Sequence, residues 1–225
     1  MTIAGVDGTK GGWLAAIRSG PEIVLSFHRS FEEVLQRPGL ELILVDVPIG
    51  LPDRGSRGAD LVARQLLQAR RSSVFPAPIR PMLAASSWEE ACEIRCAIEG
   101  KRCSKQTFAI MDKIAEVDGL LTPSEQDRVA EAHPEVSFTR ANGMTPMQER
   151  KTSSGGRGQR IGLLEASFPG VRALIASQPR GVWLDCTDAL ICLWTAERLR
   201  DGRAMRLPSG VEERDSRGLR MEIIA

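Results

Sequence analysis

The stretch "ELILVDVP", residues 41–48, sets four consecutive apolar residues before Asp46 and closes on a proline. A nearly continuous apolar run is the pattern of a strand covered on both faces. Immediately upstream, "SFEEVLQ" at 30–36 places Glu33 three residues after Ser30, a capping box that predicts a short helix. A strand reached through a helical crossover normally runs parallel to the strand it joins. Residues 41–47 are therefore expected beside the first strand of the chain.

That first strand opens a series of three apolar-rich runs, "TIAGVD" at 2–7, "WLAAIR" at 13–18 and "EIVLSFH" at 22–28. Gly11-Gly12 and Ser19-Gly20-Pro21 separate them, and turns this short predict an antiparallel meander. Downstream, "SKQTFAIMDKIAEVDGLL" at 104–121 spaces Ile110, Ile114, Val117 and Leu121 as one amphipathic helix, with Gly119 fraying its end. "DRVAEAHPEVSF" at 127–138 predicts a short strand, a break at Pro134 and the start of a helix. "DCTDALICLWTAERLR" at 185–200 predicts another helix, capped by Asp185 or Thr187. Two stretches rich in Gly and Arg, "PDRGSRGAD" at 52–60 and "ERKTSSGGRGQR" at 149–160, read as loops. The expectation is an α/β fold with a mixed five-stranded sheet, a three-strand antiparallel meander plus parallel strands, flanked by helices. It forms one domain over 1–225, with a helical and loop insertion around 52–125 and a mobile basic loop at 145–160.

The chain has 225 residues, 42% hydrophobic and 26% charged, with a net charge of +1. That is enough for one good-sized core and carries no global attraction to polyanions. No run of about 18 apolar residues is present and no charged-then-apolar leader opens the chain, which predicts a cytoplasmic protein without a membrane partner. Five cysteines, without the paired spacing of zinc sites, are expected to be free thiols.

Asp7 and Asp46 each end a proposed central strand. If those strands are parallel neighbours, their ends lie about 5 Å apart. Two carboxylates that close repel unless one is protonated or a cation lies between them, and oxygen donors suit a divalent ion. Singly, Asp7 reads equally as an Asp-Gly turn residue and Asp46 as a side chain bonded to local amides. Glu135, Asp185 and Asp188 are further acids able to reach this edge, the last two lying three apart on one helix face. Asp185 reads equally as a helix cap. His133 could be a ligand, a proton carrier or a hydrogen-bonded residue beside a turn. Such a cluster can hold two Mg2+ or Mn2+ ions about 4 Å apart, one activating water and the other steadying the leaving oxygen of a phosphodiester.

The blocks "GVDGTKGGW", "VDVPIGLP", "RRSSVFPAP", "KIAEVD", "HPEVSF" and "DCTDALICLWTA" resemble, in order, those of a widespread prokaryotic family of unknown function described as predicted ribonuclease H-like nucleases. The resemblance covers nearly the whole chain, to "GLRMEII". It implies a ribonuclease H-like fold with acids at the ends of the first and fourth strands, here Asp7 and Asp46. It places Glu135 in the family's HPE block. It likens Asp188 to the aspartate that opens the last helix of junction resolvases in the superfamily. Thr9 and Lys10 stand where that family often has Cys-Arg, which argues against an essential thiol at position 9.

The expected function is divalent-metal-dependent hydrolysis of nucleic acid, with Asp7, Asp46, Glu135 and Asp188 at the reacting centre and Asp185 as an added metal ligand. Lys10, Arg70, Arg71, Lys113, His133, Lys151 and Arg160 are the candidates for substrate contacts. Arg70 and Arg71 precede a proline-stiffened segment and could clamp phosphate or pair with a neighbouring acid. Lys151 and Arg160 flank exposed glycine amides that suit a phosphate backbone. Trp88, among polar neighbours, is the expected base-stacker. Two other readings remain open. "DGTK" resembles the first phosphate loop of actin-like ATPases and sugar kinases, although no second copy is found. A non-catalytic nucleic-acid or protein binding module of the same fold would use the arginine loops alone.

Overall fold

The computed structural model describes residues 1–225. Three strands, β1 (Thr2–Thr9), β2 (Gly12–Ser19) and β3 (Glu22–His28), form the antiparallel meander. The turns between them need left-handed backbone at Gly11 and Gly20, with φ of 89° and 62°. Helix α1 (Phe31–Leu35) follows, its first turn capped by the Ser30 hydroxyl, which accepts from the Glu33 N–H at 3.2 Å. It leads into β4 (Leu40–Val45), which pairs parallel with β1. A fifth strand, β5 (Val129–Glu131), pairs parallel with β4. The sheet order is β3-β2-β1-β4-β5.

Strand alternation separates two cores. Ile3, Leu42, Leu44 and Ala130 point to one face, where the 18-residue helix α9 (Trp183–Arg200) lies across the sheet. Ala4, Val6, Ile43, Val45 and Val129 point to the other, under α1 and α5 (Met111–Leu120). Gly5 is what lets α9 lie so close: a Cβ there would collide with the backbone of Ala189, Cys192 and Leu193. Helices α6 (Pro134–Ala141), α7 (Ser154–Ser167) and α8 (Val171–Ala176) complete the α9 layer. Between β4 and β5 stand α2 (Gly58–Leu67), α3 (Trp88–Glu99) and α4 (Lys105–Ala109), with α5 after them. A two-strand ribbon of β6 (Arg206–Leu207) and β7 (Ile223–Ile224) closes the chain. No helix is long and apolar enough to cross a membrane, and all five cysteines are free.

Several local expectations are corrected. The helix expected over 104–121 is two helices that meet at Ile110, and α5 runs through Gly119 to Leu120 instead of fraying there. The basic stretch expected as a loop to residue 160 becomes helical at Ser154, because the Ser153 hydroxyl accepts from the Gly156 N–H at 3.0 Å and caps the helix despite three nearby glycines. Helix α9 starts at Trp183, so Asp185 lies inside its first turn and neither it nor Thr187 is the cap.

Candidate functional site: a carboxylate cluster at the strand ends

Register brings the first two acids together. Val6 pairs with Val45, and the Asp46 N–H donates to the Val6 carbonyl at 2.9 Å, so Asp7 and Asp46 are the next residues along adjacent parallel strands. Asp7 continues the Ile3, Gly5 side of β1 and Asp46 the Leu42, Leu44 side of β4, so both carboxylates face the α9 layer. Because Gly5 seats α9 directly on β1, the second turn of that helix delivers Asp188 to the same place. Asp185, one turn earlier, lines the same cavity as Asp7 and Asp46.

Burial raises the Asp7 carboxyl well above the ordinary carboxylate range, with negative charge on Asp46 and Asp188 adding to the effect. Asp46 keeps part of its surface open to the cavity but is walled by protein elsewhere. Burial first, then Asp188, pushes it up to about 7. Burial also raises Asp188 and Asp185. The compensating charge is Lys151, whose Nζ donates to Asp188 Oδ2 at 2.5 Å and lowers the carboxyls of Asp7 and Asp46. Asp188 and its neighbours in turn hold the ammonium above its usual range.

Glu135 lines the cavity with Asp7 and Asp46 and is held there by an arginine. It is buried and takes a bidentate grip from Arg160, whose Nη2 lies 2.7 Å from Oε1 and 2.8 Å from Oε2. Arg70 adds a longer contact at 3.8 Å. Arg160 thus anchors Glu135 at the cavity, and the charge of Glu135 adds to the rise of the Asp46 and Asp188 carboxyls. The expectation for Arg160 as a substrate contact is corrected. Its side chain is fully buried, on Glu135 and on the Gly156 and Glu149 carbonyls, and no substrate reaches it.

Of the other cations, Lys151, Lys113 and Arg70 line a cavity of about 390 Å³ that also takes in Asp7, Asp46, Asp185 and His133. Lys113 sits 4.5 Å over the Trp13 ring and 3.8 Å from Glu116, with its stem beside Gly8. Lys10 is exposed at the hairpin tip and Arg71 is exposed after α2, and neither lines the cavity. The His133 Nε2 lies 3.3 Å from the Ser73 carbonyl, so Nε2 carries the proton and burial lowers the ring below its usual pKa.

Two features escaped the sequence reading. Arg57 and Glu131 form a fully buried pair at 2.6 Å, joined by Asp60, and Glu131 Oε2 also accepts from the Ile49 N–H at 2.7 Å. This ties the segment after Asp46 to the end of β5. The visible signal was the Arg57, Asp60 spacing within "SRGAD", which a loop reading passed over. Phe75 is the other, an exposed aromatic on the cavity wall inside "SSVFPAP".

Whether these residues suit a divalent cation is decided by their chemistry. Asp7, Asp46 and Asp188 offer hard oxygen donors from three separate elements. Asp188 Oδ1 is buried without any hydrogen-bond partner, and no hydrogen bond moderates Asp7 or Asp46. No three His, Cys, Asp or Glu side chains stand as a preformed metal-holding group, and the ammonium of Lys151 supplies the counter-charge. By donor chemistry, the oxygens of Asp7, Asp46 and Asp188 fit a hard divalent cation.

The family described as "Protein of unknown function (DUF429)" matches residues 5–213, and the chain belongs to it. No curated protein and no solved structure matches the chain.

Proposed function

We propose that this DUF429 member has a ribonuclease H-like fold and is a divalent-cation-dependent nuclease that hydrolyses phosphodiester bonds of nucleic acid. The observation that carries the reading is the convergence of Asp7, Asp46 and Asp188. Burial raises all three carboxyls, with repulsion from Asp46 and Asp188 adding at Asp7, from Asp188 and Glu135 at Asp46, and from Glu135 at Asp188, beside a cavity that also holds cations. Such a concentration of perturbed acids in a cleft is costly to folding and is typical of sites that do chemistry.

Asp7, Asp46 and Asp188 would hold Mg2+ or Mn2+, with Asp185 at the edge of the shell. When bound, the cation supplies Lewis acidity that acidifies an attacking water and neutralises the leaving oxygen. Lys151 and Lys113, which line the cavity, the latter beside Gly8, would neutralise non-bridging phosphate oxygens of the substrate. Arg160 and Arg70 hold Glu135 and so fix the start of α6 against the site. Arg57 and Glu131 hold the Val47–Leu51 segment, which keeps Asp46 at the cavity wall.

The test is hydrolysis of single-stranded, duplex and branched DNA and RNA by the purified protein with Mg2+ or Mn2+. The reading expects cleavage that chelation abolishes and that Asp7→Asn lowers at least about a hundredfold with an unchanged melting temperature. Absence of cation-dependent cleavage of every such substrate refutes it.

A further inference from the structure

The cavity beside the acids is also lined by the apolar side chains of Phe75, Val74, Pro48 and Ile110, together with Arg70 and His133. Phe75 is 42% exposed, in a chain with only six phenylalanines, four tryptophans and no tyrosine. Its exposure is not slack in the loop. Arg64 Nη1 donates to the Val74 carbonyl at 2.6 Å, the Thr107 hydroxyl donates to the Pro76 carbonyl at 3.2 Å, and the Ala77 N–H donates to Asp60 Oδ2 at 3.1 Å. The residues on either side are anchored while the ring is left open to the cavity. A fixed aromatic face facing a cleft is a platform for a flat ligand. Beside it, Arg70 Nε and His133 Nδ1 are a donor and an acceptor without protein partners.

We propose that this cavity receives one unpaired nucleotide, its base stacked on Phe75 and its phosphate directed to Lys151 and Lys113. Size supports a single unit. At about 390 Å³, the space lies near the lower end of the roughly 300–1,000 Å³ of small-ligand pockets. A base still paired and stacked in a duplex does not enter such a pocket without being unstacked. The inference rests on the nuclease reading and narrows it: the substrate is a single-stranded segment, a strand end or an unpaired nucleotide, not an intact duplex. It also moves the stacking role from Trp88, which is absent from the cavity wall. Its indole N–H is spent on the Cys103 carbonyl, and Arg102 and Lys105 stand 5.2 Å from its ring.

The experiment compares wild type, Phe75→Ala and Phe75→Trp. The readouts are cleavage of one oligonucleotide as a single strand and as a blunt duplex with Mn2+, and adenosine 5′-monophosphate binding by calorimetry. The single strand is expected to be cleaved at least about tenfold faster than the duplex. Loss of a stacked base, about 1–3 kcal/mol, is expected to weaken nucleotide binding and raise the single-strand KM by about 5- to 150-fold in Phe75→Ala, with the melting temperature unchanged. Phe75→Trp is expected to restore both. Preference for the duplex, or nucleotide binding and KM unaltered in Phe75→Ala, overturns the inference while leaving the nuclease reading in place. Nucleotide binding that depends on Phe75 in a protein that cleaves nothing supports the subsite and refutes the nuclease reading.

Discussion

Replacing Asp46 with asparagine is expected to make the cation-free protein more stable at alkaline pH, although it removes a residue of the proposed site. The carboxyl of Asp46 stands at about 7, against 3.8 for the same group in an unstructured chain. Below about pH 4 the group is protonated in both states and has no effect on the balance. Between that point and about 7 the native state keeps a proton that the unfolded chain has lost, so stability falls as pH rises through this window and is level above it. At about 1.4 kcal/mol per pKa unit, the full loss is about 4 kcal/mol, and the part of Asp46 open to cavity water lowers it to about 2 kcal/mol. Asparagine keeps the shape without the charge. Urea unfolding in the presence of chelator, at about pH 4.5 and pH 8, measures the difference. Asp46→Asn is expected to match wild type or fall slightly below it at the acid pH and to exceed it by about 2 kcal/mol at the alkaline pH. An equal loss of stability at both pH values refutes the view that Asp46 is held in a crowded, desolvated anionic cluster.

Three further changes probe the surrounding architecture. Lys151→Met removes the internal counter-ion of Asp188, so cation-free stability at pH 7 should fall by about 2 kcal/mol while Mn2+ binds about tenfold more tightly, as read by calorimetry and by thermal shift with and without the metal. Arg160→Met strands the buried Glu135 carboxylate and should cost about 3–5 kcal/mol in urea unfolding, whereas Arg160→Met with Glu135→Leu should recover most of it; an undiminished loss in the pair would deny that the two act as one unit. Gly5→Ala forces a methyl into the α9 backbone and should cost more than about 3 kcal/mol, with weakened Mn2+ binding in whatever protein still folds; wild-type stability would show that α9 does not rest on β1 at this point.

The meander, the α1 crossover and the parallel placement of β4 were all legible, because each depends on local signals: glycine turns, the Ser30 cap and the apolar run ending at Asp46. Asp7 and Asp46 could be paired from sequence because parallel register is short-range arithmetic once the strands are placed. The partition of the remaining polar residues was not legible. Glu135 and Asp188 look alike in a sequence, yet one is gripped by Arg160 and the other faces the cluster with an unpartnered oxygen. That difference arises from packing between α6, α7 and α9, elements whose mutual positions no local pattern encodes. Arg160 was misread because three glycines suggested a loop, while the Ser153 cap and packing of Leu164 against the core favour a helix. Gly5, unremarkable inside an apolar run, proves to set the approach of α9, a tertiary constraint visible only from the other side of the contact.

Calorimetric titration of Mn2+ into the metal-free protein at about pH 7.5 decides whether Asp7, Asp46 and Asp188 together form a divalent-cation site. Saturable binding is expected in wild type, reduced at least about tenfold in each of Asp7→Asn, Asp46→Asn and Asp188→Asn, with proton release as the raised carboxyls ionise. Absence of binding in wild type, or binding indifferent to all three substitutions, contradicts the account.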